Sequence, residues 1–374
     1  MAEVVAGGRF RKSPFYHSTV REGAEAFLTY NRMLIPRGYG DHEAEYWRLI
    51  NGVSMWDVAA QRQVQLKGPD AAELAQVLCT RDLSRQAVGQ GKYAAICDHQ
   101  GILINDPIVQ KLSPDSYWLS IADSDIWFWA RCVAGERGLD VEVSEPDASP
   151  LAIQGPKAED VVADLFGDWV RSLKYFRFKE ALLDGIPVQV ARSGWSKQGG
   201  FEIYLLDAAK GDQLWSLVKE AGAPYNIGPG YPNPSERTES GLINWDVDAD
   251  ATTNPFELRM ENFIDLDLRD DVIGIAALRR IKQQGIKRKQ LGIVLDMARE
   301  AEDQAIRLPI EKGGCLVGHM THKAWSFRLN RMIGYALVSA DLAPGETVQV
   351  MREGRVIGAT LTSLPFQISS VSDG

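Results

Sequence analysis

The chain has 374 residues, of which 45% are hydrophobic and 24% charged, and a net charge of -9. That length suggests about two or three domains, and the balance is that of a folded, soluble protein. The acidic total argues against a general phosphate-backbone binder, which rests on clustered Lys and Arg; a local anion site stays compatible with it.

The N-terminal run "MAEVVAGGRFRKSPF" has a short apolar start and then Arg and Lys, without the order of a secretory signal. There is no apolar run of about 18 residues, so no membrane-spanning helix is expected. The four cysteines (Cys79, Cys97, Cys132, Cys315) fall in separate segments without a CxxC spacing. Reduced, buried thiols in a cytoplasmic chain are expected.

Two segments resemble each other: "VQLKGPDAAELAQVL" from Val64 and "LAIQGPKAEDVVADLF" from Leu151. Each reads as a strand, a Gly-Pro, and an Ala-rich amphipathic helix. Pro69 and Pro156 are expected in the first helical turn, with Asp70, Glu159 and Asp160 at the positive helix end. Two copies suggest two related α+β halves rather than a solenoid. Between them, "YAAICDHQGILINDPIVQKLSPDSYWLSIA" reads as three strands joined by turns at 98–101 and 113–115. "GIPVQVARSG" and "FEIYLLD" then make a hairpin whose turn carries Trp195 and Lys197, and "GDQLWSLVKEAG" a helix closed by Gly222. From about Arg279, "RRIKQQGIKRKQ" reads as a basic connector. The short strand-like runs beyond it suggest a small β-barrel.

Cys315, His319 and His322 give C-x3-H-x2-H, but a structural zinc site needs a fourth ligand and these residues fall on a strand, so no metal is expected. The G-x-G-x-x-G, P-loop and G-x-S-x-G patterns are absent from the sequence. Asp106 is an acid in a mostly apolar strand; it serves either a ligand or the backbone N–H groups beside Pro107. On the hairpin, Phe201, Ile203 and Leu205 should face inward, leaving Glu202 and Tyr204 on the other face. That face is either solvated or committed to a ligand. Trp195, at a glycine-flanked turn, has a ring that can attract a cation by ~0.5–2 kcal/mol. Arg237, in "SERTESGL", either clamps a carboxylate bidentately or makes a local ion pair with a neighbour such as Glu239.

Together these pieces resemble the glycine-cleavage T-protein (aminomethyltransferase) family over nearly the whole chain. "DVAAQRQVQLKGPDAAELAQVLCTRDLS" is similar to its opening block, "GKYAAICDHQGILINDPIV" to its Tyr-bearing strand and acid segment, "RTESGL" to "RLEAGL", and "TTNPFELRM" and "LPF" to later segments. The resemblance implies an α+β, T-protein-like folate-binding fold. Residues 1–284 would form the folate-binding region of two interleaved α+β subdomains, and residues 285–374 a C-terminal β-barrel. Where the family's hairpin usually reads "RTGYTGEDGFEI", this chain reads "RSGWSKQGGFEI". That text and the N-terminal "SPFYHSTVREGAEAFLTYNRML" resemble a branch of the family that demethylates dimethylsulfoniopropionate.

The resemblance then implies a tetrahydrofolate-dependent methyltransferase acting on a small sulfonium. No metal, membrane, nucleic acid or obligatory protein partner is implied. Glu202 would bind the pterin N–H edge, Asp106 would orient the folate and ease proton loss, and Tyr93 and Tyr204 would line the pterin slot. Arg237 would meet the folate tail. Charge and shape add Trp195 against the sulfonium and Lys197 against the donor's carboxylate. The family's second acid is Asn105 here, which with Trp195 suggests a donor other than an aminomethyl group. The alternatives are another folate-dependent N- or O-demethylase, a glycine-cleavage aminomethyltransferase, and a non-catalytic folate-binding regulatory or assembly protein.

Overall fold

The computed structural model describes residues 10–300 and 307–368. Residues 1–9, on which part of the leader reading rests, lie outside them. Contacts divide the chain into two units. One takes residues up to 75, 83–93 and 107–233; the other takes 76–82, 94–106 and 234 onward.

The first unit is built on two sheets. A six-stranded sheet runs in the order Phe178–Leu183, Ile186–Ala191, Gly200–Leu205, Ser149–Gln154, Ser54–Asp57, Gly228–Gly230, antiparallel except for the last pair. A five-stranded antiparallel sheet runs Glu142–Ser144, Gln63–Lys67, Ser116–Ser120, Ile108–Ser113, Gln90–Tyr93. The strands of the two Gly-Pro repeats thus fall one in each sheet. Their helices begin at Ala71 and Ala158, so Pro69 and Pro156 occupy the strand-to-helix turn rather than the first helical turn.

On the six-stranded sheet, Leu151, Ile153, Val188, Val190, Phe201, Ile203 and Leu205 point to one face, as the period-2 pattern requires. Val161 and Val162 of the helix Ala158–Phe166 cover that face, with Leu214, Trp215 and Val218 of Gly211–Gly222. Phe201 is 1% exposed; its truncation to Ala would cost ~3–5 kcal/mol through lost burial and the cavity left behind.

The opposite face is also covered, which sequence alternation alone did not require. Trp118, from the five-stranded sheet, meets Tyr204 with ring centroids 6.2 Å apart, and both join a buried cluster with Ala148 and Ala191. The strand Gly200–Leu205 is therefore buried on both sides, so Glu202 is not on a solvated face.

The second unit carries a closed six-stranded barrel of Arg288–Leu295, Leu308–Lys312, Cys315–Ser326, Arg331–Ser339, Thr347–Arg352 and Arg355–Thr362. Its interior is aliphatic, with Ile293, Ile310, Ala336, Val338 and Val350 fully buried. The basic connector expected from Arg279 is instead the helix Ile275–Gln284, followed after Gly285 by the first barrel strand. Ile275, Ala277 and Leu278 bury one side of that helix, leaving its cations the outer side.

The expected strand through Asp106 is broken there. Ile96–Cys97 pairs with Leu103–Asn105 in this unit, and a new strand starts at Ile108 in the other. Pro107 has no N–H for a ladder bond, which explains the break. Cys79 and Cys97 are buried and free as expected, whereas Cys132 and Cys315 are exposed. Among the tryptophans, Trp56 and Trp118 lie in the core, while Trp47 is 36% exposed. No helix among the described residues is long and apolar enough to cross a membrane.

Candidate functional site

The hairpin is registered so that Ala191 opposes Glu202 and Gln189 opposes Tyr204. On its other side Glu202 opposes Ala152. Cross-strand partners share a face, so two small side chains flank the carboxylate.

The tip that joins these strands is held by Gln154 at the end of Ser149–Gln154. Its Nε2 donates to the carbonyls of Ser193 at 3.2 Å and Phe201 at 3.3 Å, and its Oε1 accepts from Ser196 Oγ at 2.8 Å. Gly194 and Gly200 make this possible: both have φ near +147°, and a Cβ at Gly194 would lie 2.0 Å from Gln154 Nε2. On this loop Trp195 is half-buried and Lys197 is exposed.

Glu202 is 5% exposed and Tyr204 1%. Ser193 Oγ donates to Glu202 Oε2, and the Tyr204 hydroxyl lies 3.3 Å from the same oxygen. Burial raises the pKa of the Glu202 carboxyl, and those two hydrogen bonds pull it back toward the ionised form. The phenol of Tyr204 is pushed well up by burial and then by the Glu202 charge, so it stays protonated. Tyr204 is not an open slot wall; it sits beneath Glu202 with its hydroxyl engaged. Tyr93, half-buried, ends the strand Gln90–Tyr93 opposite Ile108.

In the second unit, half-buried Asp106 follows the hairpin whose turn is closed by Asp98 Oδ1, which accepts from the N–H groups of Gln100 and Ile102 at 2.9 Å each. Arg237 is 3% exposed and lies against Asp248, with N···O distances of 2.8 and 3.4 Å. Its guanidinium also stands 5.2 Å over the Tyr335 ring. The neighbour suggested by sequence, Glu239, is instead bound by Ser326 at 2.6 Å and by Arg328. So the bidentate geometry expected of Arg237 exists, but an internal carboxylate fills it.

Of the C-x3-H-x2-H residues, Cys315 is exposed, His319 contacts Arg307 at 2.9 Å, and half-buried His322 has its pKa held well below the usual value by desolvation and then by Arg237. No group of three metal-ligating side chains gathers among the described residues.

Sequence reasoning passed over Gln110, Gln154, Gln189 and Ser193. A signal was present: single glutamines inside otherwise apolar strands, as in "PIVQKL", "LAIQG" and "PVQVA". A buried amide is costly unless hydrogen-bonded, so each marks an internal polar network.

Residues 15–268 match the GCVT N-terminal domain, and residues 288–367 match the glycine cleavage T-protein C-terminal barrel domain. The chain is 41% identical over 295 residues to a dimethylsulfoniopropionate demethylase, DmdA, of Ruegeria pomeroyi, covering 79% of this chain and 80% of that protein. It is 30% identical over 371 residues to an aminomethyltransferase of Rubrobacter xylanophilus, covering 97% and 95%. The fold is shared with the glycine cleavage system aminomethyltransferase T of Bartonella henselae, with a TM-score of 0.83 at 20% identity over 96% of this chain and 98% of that one. Two matching domains in order, the closed barrel and relatives of this identity establish that the chain belongs to the glycine-cleavage T-protein, or aminomethyltransferase, family.

Proposed function

We propose that the protein is a tetrahydrofolate-dependent demethylase of dimethylsulfoniopropionate, yielding 3-methylmercaptopropionate and 5-methyltetrahydrofolate. The observation that carries the choice of donor is the 41% identity to a protein of that name over four-fifths of each chain. The hairpin tip supports it, because it offers a half-buried indole where the family's usual text has Tyr. A sulfonium methyl is already electrophilic. Transfer makes one N–C bond as the S–CH3 bond breaks, its electrons return to sulfur as a neutral thioether, and the N5 proton is released.

The donor set fits a reduced pterin. Its polar edge presents N–H groups, and Glu202 is a buried carboxyl whose pKa burial raises, with the hydrogen bonds from Ser193 and Tyr204 favouring its charged form. Glu202 binds that edge, and Tyr93 lines the pterin ring. Asp106 orients the folate and takes up the proton as transfer completes. Trp195 attracts the sulfonium, and Lys197 pairs with the donor's carboxylate. Arg237, the residue expected to meet the folate tail, is committed instead to its buried pair with Asp248. The chain's own task is mainly alignment of acceptor and donor, which is worth most when both are held rigidly.

On this reading residues 1–284 are the folate-binding region and 285–374 the barrel domain. The enzyme works in the cytoplasm on a small molecule, without an obligatory protein partner. The test is incubation with tetrahydrofolate and a panel of methyl donors, read by formation of 5-methyltetrahydrofolate. Dimethylsulfoniopropionate should be turned over fastest; turnover only of N-methyl or O-methyl donors would replace the sulfonium assignment. Binding of folate without transfer from any donor would make the protein a binding module. The 30% identity to aminomethyltransferases makes methylene-folate formation from an aminomethyl donor the second activity to assay.

A further inference from the structure

Beneath Glu202 lies a hydrogen-bond chain that joins the two sheets of the first unit. Gln189 Nε2 donates to Gln110 Oε1 at 2.6 Å. Gln110 Nε2 donates to the Tyr204 hydroxyl oxygen at 2.9 Å, and that hydroxyl is 3.3 Å from Glu202 Oε2. Ser120 also hydrogen-bonds Tyr204, and its own Oγ accepts from Gln63 Nε2 at 3.2 Å. All of these side chains are buried: Gln189 is 1% exposed, Gln110 2% and Gln63 1%.

We propose that Gln110 and Gln189 are positioning residues for the folate site, and that they direct the Tyr204 proton onto Glu202. The argument is one of direction. A phenol has one proton and two acceptor positions. The amide of Gln110 takes one acceptor position of Tyr204 and Ser120 the other, which leaves the proton for Glu202. Gln110 keeps its N–H toward Tyr204 because Gln189 holds its carbonyl oxygen from the opposite side. Reversing the chain requires both amides to turn over together.

With Oε2 occupied by Ser193 and Tyr204, the carboxylate cannot rotate and its other oxygen is set for incoming N–H donors. A lone buried glutamate would pay for ionisation by burial alone; here two donors share the charge. The cross-strand pairing of Gln189 with Tyr204 and the contact of Gln110 from the facing sheet make this a property of the fold, not of one loop.

The inference rests on the reading of Glu202 as the folate anchor, and the experiment separates the two. Tetrahydrofolate is titrated calorimetrically into the full chain and into Glu202→Gln, Tyr204→Phe, Gln110→Glu and Gln110→Met, with thermal unfolding recorded for each. Gln110→Glu keeps the shape and an acceptor for Gln189, but it offers Tyr204 an acceptor and so draws the phenol proton away from Glu202.

We expect Tyr204→Phe to weaken tetrahydrofolate binding roughly ten-fold, the worth of one hydrogen bond to a charged group. Gln110→Glu should weaken it at least as much. Gln110→Met, which removes the acceptor of the Gln189 amide and one donor to Tyr204, should unfold at the lowest temperature yet bind better than Gln110→Glu. A purely structural role predicts that affinity follows unfolding temperature, and that result overturns the proposal. So does wild-type affinity in both Tyr204→Phe and Gln110→Glu while Glu202→Gln loses binding. Retained binding in Glu202→Gln removes the folate anchor itself, and the proposal with it.

Discussion

Replacing Asp57 with Asn should make this protein more stable at neutral pH. Asp57 ends the strand Ser54–Asp57, is 2% exposed, and accepts hydrogen bonds from Ser13 Oγ at 2.5 Å and from the Ala59 N–H at 3.2 Å. Burial outweighs both bonds and lifts its pKa from 3.8 to about 6. A carboxyl whose pKa is raised by folding binds its proton more tightly in the native state. Its stabilising contribution is therefore complete below about pH 4 and is lost as pH rises through about 6. A gap of about 2 pH units corresponds to roughly 3 kcal/mol, at about 1.36 kcal/mol per unit.

Asn approximates the protonated acid: nearly the same shape, a carbonyl acceptor beside an amide donor group, and no charge. The difference in unfolding free energy between Asp57→Asn and the parent should be near zero at about pH 4. It should grow to roughly 3 kcal/mol in favour of the variant by about pH 8. Urea denaturation followed by circular dichroism at a series of pH values measures it, and taking the difference cancels every titration common to both proteins. A difference that does not change with pH, or a variant weaker than the parent at pH 8, would refute a desolvated acid at this position.

Trp195→Leu should raise KM for dimethylsulfoniopropionate by roughly 2- to 30-fold, the range of a cation–π contact, while tetrahydrofolate affinity holds; equal loss of both would point to a collapsed hairpin instead. Asp106→Asn should still bind tetrahydrofolate and slow the single-turnover rate by roughly 10²- to 10⁴-fold, as loss of a proton-transfer group does. An unchanged rate takes Asp106 out of the chemistry. Arg237→Met strands the buried Asp248 carboxylate and should cost ~3–5 kcal/mol in chemical denaturation, most of it recovered by adding Asp248→Asn. Full stability in the single variant would return Arg237 to a ligand-only role. Gly194→Ala places a Cβ against the Gln154 amide and should weaken sulfonium turnover through the displaced Trp195 loop; wild-type kinetics would show that the loop tolerates the shift.

The elements legible in the chain were those that local rules control. The hairpin, the helix Gly211–Gly222, the two strand–Gly-Pro–helix repeats and the barrel strands follow from period-2 or helical spacing, punctuated by Gly and Pro. The helix Ile275–Gln284 was missed because its apolar face is only three residues wide amid cations, so composition masked its spacing. The break at Asp106-Pro107 was missed because an apolar run on both sides outweighed the one residue without an N–H.

Site residues divide in the same way. Glu202 and Tyr204 share a face by parity alone, and their one-strand spacing was readable. Whether that face met water or a second sheet was not, because Trp118 and Gln110 reach it from strands 84 or more residues away in sequence. Arg237 could be recognised as a clamp, but its partner Asp248 could not, since a buried ion pair is chosen by which acid the fold brings within reach. Composition and periodicity thus determined the strands, the repeats and the side of the hairpin on which Glu202 stands. Tertiary structure decided that the side is dry, and desolvation turns an ordinary strand glutamate into a fixed, hydrogen-bonded acceptor.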